Sequence, residues 1–160
     1  MSLDLEPVDY LRMLKEEYKE YRHGPEIVRK AINCCALSNA LPEIIFAKYG
    51  FTEPQKVHGA KSQLHYREHL RRECDAHHSV RDICDFSKHG PGLSRSSVSV
   101  RDTNLIRRVE GHVFGLLKLK MTLEVERLVI THQDGRTELM GGVLKQVVDS
   151  WDMIFARDGL

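Results

Sequence analysis

The spacing of the hydrophobic residues changes along this chain, and that change limits the folds open to it. From Val8 to about His89, apolar residues recur at three- and four-residue steps, a pattern typical of amphipathic helices. Between Leu117 and Val125 they alternate with polar, mostly charged residues, which indicates a half-buried strand. In proteins with a parallel sheet, strands and helices alternate along the chain. Here the helices come first and the strands follow, so the predicted fold class is α+β.

Four helices are predicted in the first 90 residues. The first runs from about Val8 to His23, and the second begins at Pro25, where a proline suits the first helical position. The second helix is almost uncharged in its later part, which predicts a buried helix. Pro42 is expected to break or kink it, with a short continuation before Gly50.

The third and fourth helices are more polar. Ser62 is predicted to cap the third helix, which runs to about Cys74. Residues 75–78 are predicted to form a corner, and the fourth helix is expected to begin at Val80 and to end before Gly90.

The C-terminal part is predicted to hold a small antiparallel sheet and one more helix. Residues 97–100 and 117–125 show strand patterns, and residues 128–130 either extend the second strand or start another. Asp134 and Gly135 indicate a tight turn, and helical spacing is expected from Thr137 onward. We predict a single domain over residues 1–160, with a helical part at 5–90 and the sheet plus C-terminal helix at 95–157.

Composition excludes several classes of protein. With 24 Lys and Arg against 23 Asp and Glu, the net charge is +1, so neither a polybasic arm nor an acidic tail is present. No apolar run approaches the length of about 20 residues that a membrane span needs, so no membrane partner is expected. No signal-peptide pattern opens the chain, and its four cysteines show no disulfide pattern, so we expect a cytoplasmic protein with reduced thiols.

The fourth predicted helix carries the clearest candidate site. Arg81, Asp85 and His89 follow one another at four-residue steps, so each side chain can contact the next on one helix face. A carboxylate between a guanidinium and an imidazole can orient both groups, and such a trio suits phosphate binding or acid–base chemistry on a phosphodiester. The same spacing also suits ordinary ion pairs on a solvated face.

The sequence of this helix, Arg81-Asp82-x-x-Asp85-x-x-Lys88-His89, resembles a motif of small uncharacterised bacterial proteins, Arg-Asp-x-x-Asn-x-x-Lys-His. The resemblance covers the chain from about Ala31 to Trp151. Those proteins are in turn distantly similar to HEPN domains, helical bundles whose active members are metal-independent ribonucleases. HEPN nucleases usually have four to six residues between an Arg and a His that meet at a dimer interface, whereas seven residues separate Arg81 from His89.

The resemblance implies a HEPN-like protein linked to RNA or nucleotides in a stress, toxin–antitoxin or phage-defence system. It implies a homodimer, RNA or a nucleotide as ligand, and an antitoxin-type protein as a further partner. If the chain is an enzyme, the implied activity is a metal-independent endoribonuclease with no cofactor and no metal. His89 would then act as the general acid and base, Arg81 would stabilise the transition-state charge, and Asp85 would orient them.

Two other functions stay open at this point. The first is a non-catalytic helical interaction module, in which the Arg81 face holds a second copy or a protein partner. The second is a metal-binding helical bundle, because five of the nine histidines lie between residues 65 and 89. His65 and His69 share one helix face, and a tetrahedral site would be completed from the following set: Cys74, His77, His78 and His89. Surface histidines are the simpler interpretation of His65, His69, His77 and His78.

Overall fold

The computed structural model describes residues 5–24, 28–89, 100–106, 109–111, 121–123 and 127–160 of the chain. Side chains are described in these ranges except at residues 86, 88, 89 and 100–127. The described elements are helices followed by antiparallel strands and a last helix, which confirms the α+β class.

Helices make up most of the described chain. α1 has its N-terminal turn closed by the carboxylate of Asp9, which accepts a hydrogen bond from the backbone N–H of Glu6 at 3.0 Å. α3 begins as predicted, with the Ser62 hydroxyl accepting from the backbone N–H of His65 at 3.1 Å. The bounds are α1 Pro7–His23, α2 Val28–Tyr49, α3 Gln63–Glu73, α4 Ala76–His89 and α5 Met140–Asp158, with a 3₁₀ turn at Pro54–Val57.

The described strands form two small antiparallel sheets. One has the order β1-β4-β5, and the other pairs β2 with β3. Their bounds are β1 Val100–Ile106, β2 Val109–Gly111, β3 Met121–Leu123, β4 Arg127–His132 and β5 Thr137–Leu139. β3 falls inside the predicted strand 117–125, whose other residues lie outside the described ranges. Residues 128–130 belong to a separate strand, β4, and the turn at Asp134 and Gly135 connects it to β5.

A single apolar cluster joins the helices to the sheet. Leu14 of α1, Leu41 of α2 and Ile130 of β4 are fully buried in it, together with Trp151 of α5. Cys34 is also fully buried, as the sequence predicted, and burial raises the pKa of its thiol to about 12. A thiol with that pKa stays protonated at neutral pH, so this cysteine is a packing residue and not a nucleophile.

Three local expectations were wrong. The expected break at Pro42 is wrong: α2 continues through the proline to Tyr49, because buried residues on both sides of it hold the helix in the core. α4 begins at Ala76 and not at Val80, so residues 76–79 are helical and not a corner. Residues 137–139 form β5, because pairing with β4 takes precedence over their helical spacing. The predicted stop at residues 90–91 lies outside the described ranges.

Candidate functional site

A small pocket opens between α2, α3 and α4, and positively charged side chains dominate its wall. Its cavity of about 20 Å³ has room for about one water molecule, so it admits the end of a ligand and not a whole nucleotide. Three arginines and two histidines line it, and Glu68 is the acid among the lining residues. The full lining is Ser38, Asn39, Pro42, Arg67, Glu68, Leu70, Arg71, His77, His78 and Arg81.

The guanidinium of Arg67 is fixed in place by α2. Its Nη1 donates a hydrogen bond to the side-chain oxygen of Asn39, and its Nη2 donates to the backbone carbonyl of the same residue, both at 2.8 Å. Two bonds to one residue define the plane of the guanidinium as well as its position. Arg67 is therefore a preorganised cation and not a freely moving surface side chain.

A second guanidinium faces Arg67 from α4. Burial lowers the pKa of Arg67, and the nearby charge of Arg81 lowers it further, while Glu43 and Asp85 act in the opposite direction. An arginine nevertheless keeps its proton at neutral pH. Two like charges at the wall of one pocket raise the free energy of the empty site, and an anion bound between them would lower it.

Arg71 completes the positive wall. It lies one helical turn after Arg67 on α3 and makes a 3.5 Å ion pair with Glu68, in which both side chains are about 40% exposed. An ion pair as exposed as this contributes little to stability, so the guanidinium of Arg71 is able to change partners.

The floor of the pocket is a buried polar network. The indole N–H of Trp151 donates to the hydroxyl of Ser38 at 3.0 Å, and both residues are buried. His77 packs edge-on against the same indole with ring centroids 4.8 Å apart, and its Nε2 is hydrogen-bonded to the hydroxyl of Ser150 at 2.9 Å. These contacts tie α2, α4 and α5 together beneath the arginines.

The imidazole of His77 is neutral in this environment. Burial lowers its pKa from the ordinary value of 6.5 to about 4, while the smaller effects of Glu73, which raises the pKa, and Arg67, which lowers it, oppose each other. At neutral pH the ring therefore cannot act as a general acid, since it carries no extra proton. Its role is to hold the floor of the pocket.

The three residues singled out in the sequence all belong to α4. Arg81 lines the pocket, and Asp85 follows one turn later with its side chain half-buried. His89 is the last residue of the helix, and its side chain is outside the described part of the chain. Eight residues of helix place the backbones of Arg81 and His89 about 12 Å apart, so within one chain Asp85 lies between them.

The clustered histidines do not share one environment. His65 is exposed, as expected, and His69 is half-buried. His77 and His78 are buried, with 9% and 8% exposure, so their interpretation as surface residues was wrong. The expected pair His65 and His69 does not form a ligand set, because His69 faces His58 and Glu73 and His65 does not belong to that group.

The most informative residues of the pocket were not predicted from the sequence. Arg67 and Asn39 are 28 residues apart, and no spacing rule connects them to Arg81. The one available signal was the run of arginines at positions 67, 71 and 72. Two of these lie one turn apart on the face of α3 that meets α4.

Among the described residues, no helix is long and apolar enough to cross a membrane. The arrangement suits electrostatic binding of an anion by guanidinium groups, of which Arg67 is preorganised, with a neutral histidine below them. Comparisons with protein families, with curated proteins and with solved structures give no significant match, so the pocket is interpreted from its own chemistry.

Proposed function

We propose that this chain is a HEPN-like RNA-binding protein whose arginine pocket, formed by Arg67, Arg71 and Arg81, holds a phosphate group of the RNA backbone. The observation that carries the proposal is the convergence of these three guanidinium groups on one small pocket. Guanidinium groups match the geometry of phosphate oxygens and bind them in pairs of parallel hydrogen bonds.

The size of the pocket favours a phosphate over a base. A cavity that holds about one water molecule takes phosphate oxygens at its mouth, whereas a nucleobase needs a stacking surface and a larger volume. Contacts to phosphate position a nucleic acid without reading its sequence. The net charge of +1 agrees with a short contact of a few phosphates and not with a long basic track.

Cleavage of the bound RNA is the finer part of the proposal. His89 is the general acid and base, Arg81 stabilises the charge of the phosphorane, and Asp85 orients both. Because the backbones of Arg81 and His89 are about 12 Å apart on one helix, we place the complete site at a homodimer interface, where each copy supplies one of these residues. An antitoxin-type protein that covers this face would inhibit the enzyme.

RNA binding is tested by fluorescence anisotropy with a labelled single-stranded RNA over a range of salt concentrations. We expect Arg81→Ala to weaken binding and to reduce the slope of log K against log salt by about 1, the loss of one phosphate contact. Arg72→Ala is the matched control, because Arg72 is exposed on the same helix as Arg67 and Arg71 and does not line the pocket. Equal effects of the two substitutions would contradict the proposed site.

Cleavage is tested by incubating the purified protein with RNA in the presence of EDTA. The expected result is cleavage that His89→Ala abolishes and that the exposed control His65→Ala leaves unchanged. Absence of cleavage, or cleavage that His89→Ala does not affect, refutes the nuclease. If Arg81→Ala then lowers only dimer affinity or melting temperature, the chain is a non-catalytic interaction module.

A further inference from the structure

A second group of functional side chains lies at the far side of α3, away from the arginine pocket. The 3₁₀ turn ends at His58, α3 contributes His69 and Glu73, and the end of α5 contributes Arg157 and Asp158. We refer to these five residues as the His58 cluster. On α3, His69 and Glu73 lie about 200° around the helix axis from Arg67 and Arg71, so the two sites do not overlap.

The two imidazoles and one carboxylate of the His58 cluster lie close together. The rings of His58 and His69 stack with centroids 4.0 Å apart and planes 25° apart. One ring nitrogen from each histidine and one oxygen of Glu73 all lie within 4.8 Å of one another. Two imidazoles and a carboxylate are a donor set that zinc uses in proteins.

The backbone at His58 is held in an uncommon conformation. His58 has a φ of 54°, in the left-handed region that non-glycine residues seldom adopt. The side chain of His58 is held by contacts with Arg157 and Asp158 at the end of α5. Such strain is kept where the surrounding structure requires a particular position of the side chain.

Two neighbours compete for one ring nitrogen of His58. The Nε2 of His58 lies 2.9 Å from a carboxylate oxygen of Asp158 and 2.8 Å from the Nη2 of Arg157. A ring nitrogen that carries a proton donates a hydrogen bond and one without a proton accepts one, so a single tautomer cannot bond to both neighbours. The tautomer with a bare Nε2 suits Arg157 and would equally suit a metal ion.

The Nε2 atom of His69 is also available to a metal ion. Its Nε2 is 3.0 Å from Glu73 Oε1, yet this buried atom makes no well-aligned hydrogen bond to any described residue. A buried ring nitrogen without a well-aligned hydrogen bond is an atom that a metal ion could take as a ligand.

The guanidinium of Arg157 already contacts two of the three candidate ligand residues. Its Nη1 donates to Glu73 Oε1 at 2.9 Å, and its Nη2 lies 2.8 Å from His58 Nε2. The side chain of Arg157 is 46% exposed, and its guanidinium also donates two hydrogen bonds to the carboxylate of Asp158, at 2.7 and 2.9 Å. A metal ion would have to displace the guanidinium from Glu73 and His58. The two carboxylates of the cluster outweigh the single charge of Arg157, and a divalent ion would balance them.

We propose that His58, His69 and Glu73 form a binding site for a divalent transition-metal ion, zinc in the first place, in competition with the guanidinium of Arg157. Three protein ligands leave the fourth tetrahedral position to a water molecule. The ion would tie His58, which follows the 3₁₀ turn, to α3. This proposal replaces the expectation of no metal and does not depend on RNA binding, which uses other residues.

The experiment uses the full chain, purified without a polyhistidine tag and freed of metal. Zinc binding is measured by isothermal titration, and the coordination geometry by the visible absorption of bound Co²⁺. We expect one ion per chain and a tetrahedral cobalt spectrum. Binding below one equivalent, or a cobalt spectrum of the hexahydrated ion, overturns the proposal.

Three variants and one control identify the ligands. We expect His69→Ala and Glu73→Gln each to weaken zinc binding at least about tenfold. Substitution of residues that only hydrogen-bond to metal ligands already causes a loss of this size. Arg157→Gln is expected to tighten binding, because the competing guanidinium is gone. His65→Ala is the control, since His65 is exposed on the same helix.

The outcomes distinguish the proposal from a simple ion-pair network. Glu73→Gln keeps the size of the side chain, so its effect is readable even if His69→Ala does not fold. If His65→Ala weakens zinc binding as much as Glu73→Gln does, the ion binds elsewhere and the proposal fails. If Arg157→Gln leaves the affinity unchanged or weakens it, the competition with the guanidinium is refuted.

Discussion

Acidification is expected to destabilise this protein, and the buried His77 contributes a large part of the effect. Its ring is buried beside Trp151 and bonded to Ser150, and its pKa falls from the ordinary value of 6.5 to about 4, chiefly because of burial. Above pH 6.5 the ring is neutral in both the folded and the unfolded chain. Below that pH the unfolded chain takes up a proton and the folded chain does not, so the free energy of unfolding falls until pH 4.

The size of this loss follows from the difference between the two pKa values. Each pH unit is worth about 1.4 kcal/mol, so His77 accounts for a loss of about 3 kcal/mol between pH 6.5 and pH 4. The ring is almost completely buried, so solvent screens this effect very little. Against a typical stability of roughly 5–15 kcal/mol for a domain, the loss is large enough to measure.

Urea denaturation between pH 7 and pH 4.5, followed by the fluorescence of the single tryptophan, Trp151, measures the effect. His77→Gln removes the titrating group and keeps a side chain able to bond Ser150. Over this pH range, the free energy of unfolding of the variant should fall by roughly 2–3 kcal/mol less than that of the natural chain. The exposed control His65→Gln should leave the pH dependence unchanged. If His77→Gln and the natural chain lose the same stability on acidification, the reasoning is refuted.

Two further substitutions test the packing beneath and beside the pocket. Ser38→Ala removes the acceptor of the buried Trp151 N–H and should cost about 1–3 kcal/mol in urea denaturation, whereas the exposed Ser87→Ala should change stability by less than about 0.5 kcal/mol. Leu14→Ala empties a fully buried position of α1 and should cost about 2–5 kcal/mol, while Met13→Ala, at an exposed neighbour, should cost far less. Equal effects within either pair would contradict the burial on which both expectations rest.

Local sequence patterns predicted the structure correctly where residues close in sequence are also in contact in the fold. Helical periodicity predicted α1, the hydroxyl of Ser62 marked the start of α3, and four-residue steps placed Arg81 and Asp85 on one side of α4. The change to strand alternation correctly separated the helices from the sheet. Each of these inferences depends on interactions within about one turn of helix or one pair of strands.

Polar residues in the core were misjudged for a physical reason. A histidine counts as polar in any sequence pattern, so His77 and His78 were expected at the surface. In the folded chain His77 is buried because Ser150, 73 residues further along, hydrogen-bonds its ring. A polar group can be buried only if it has such a partner, and a partner that distant is invisible to local spacing.

The sequence by itself determined the class of fold, the position of the helices before the strands and the charged face of α4, because these follow from periodicity and from contacts between near neighbours. The tertiary structure alone decided which charges meet. It brought Arg67 of α3 to Arg81 of α4 and bonded it to Asn39 of α2, and it placed His58 beside His69 and the end of α5. Both clusters join residues from separate elements, and only packing of the core brings such residues together.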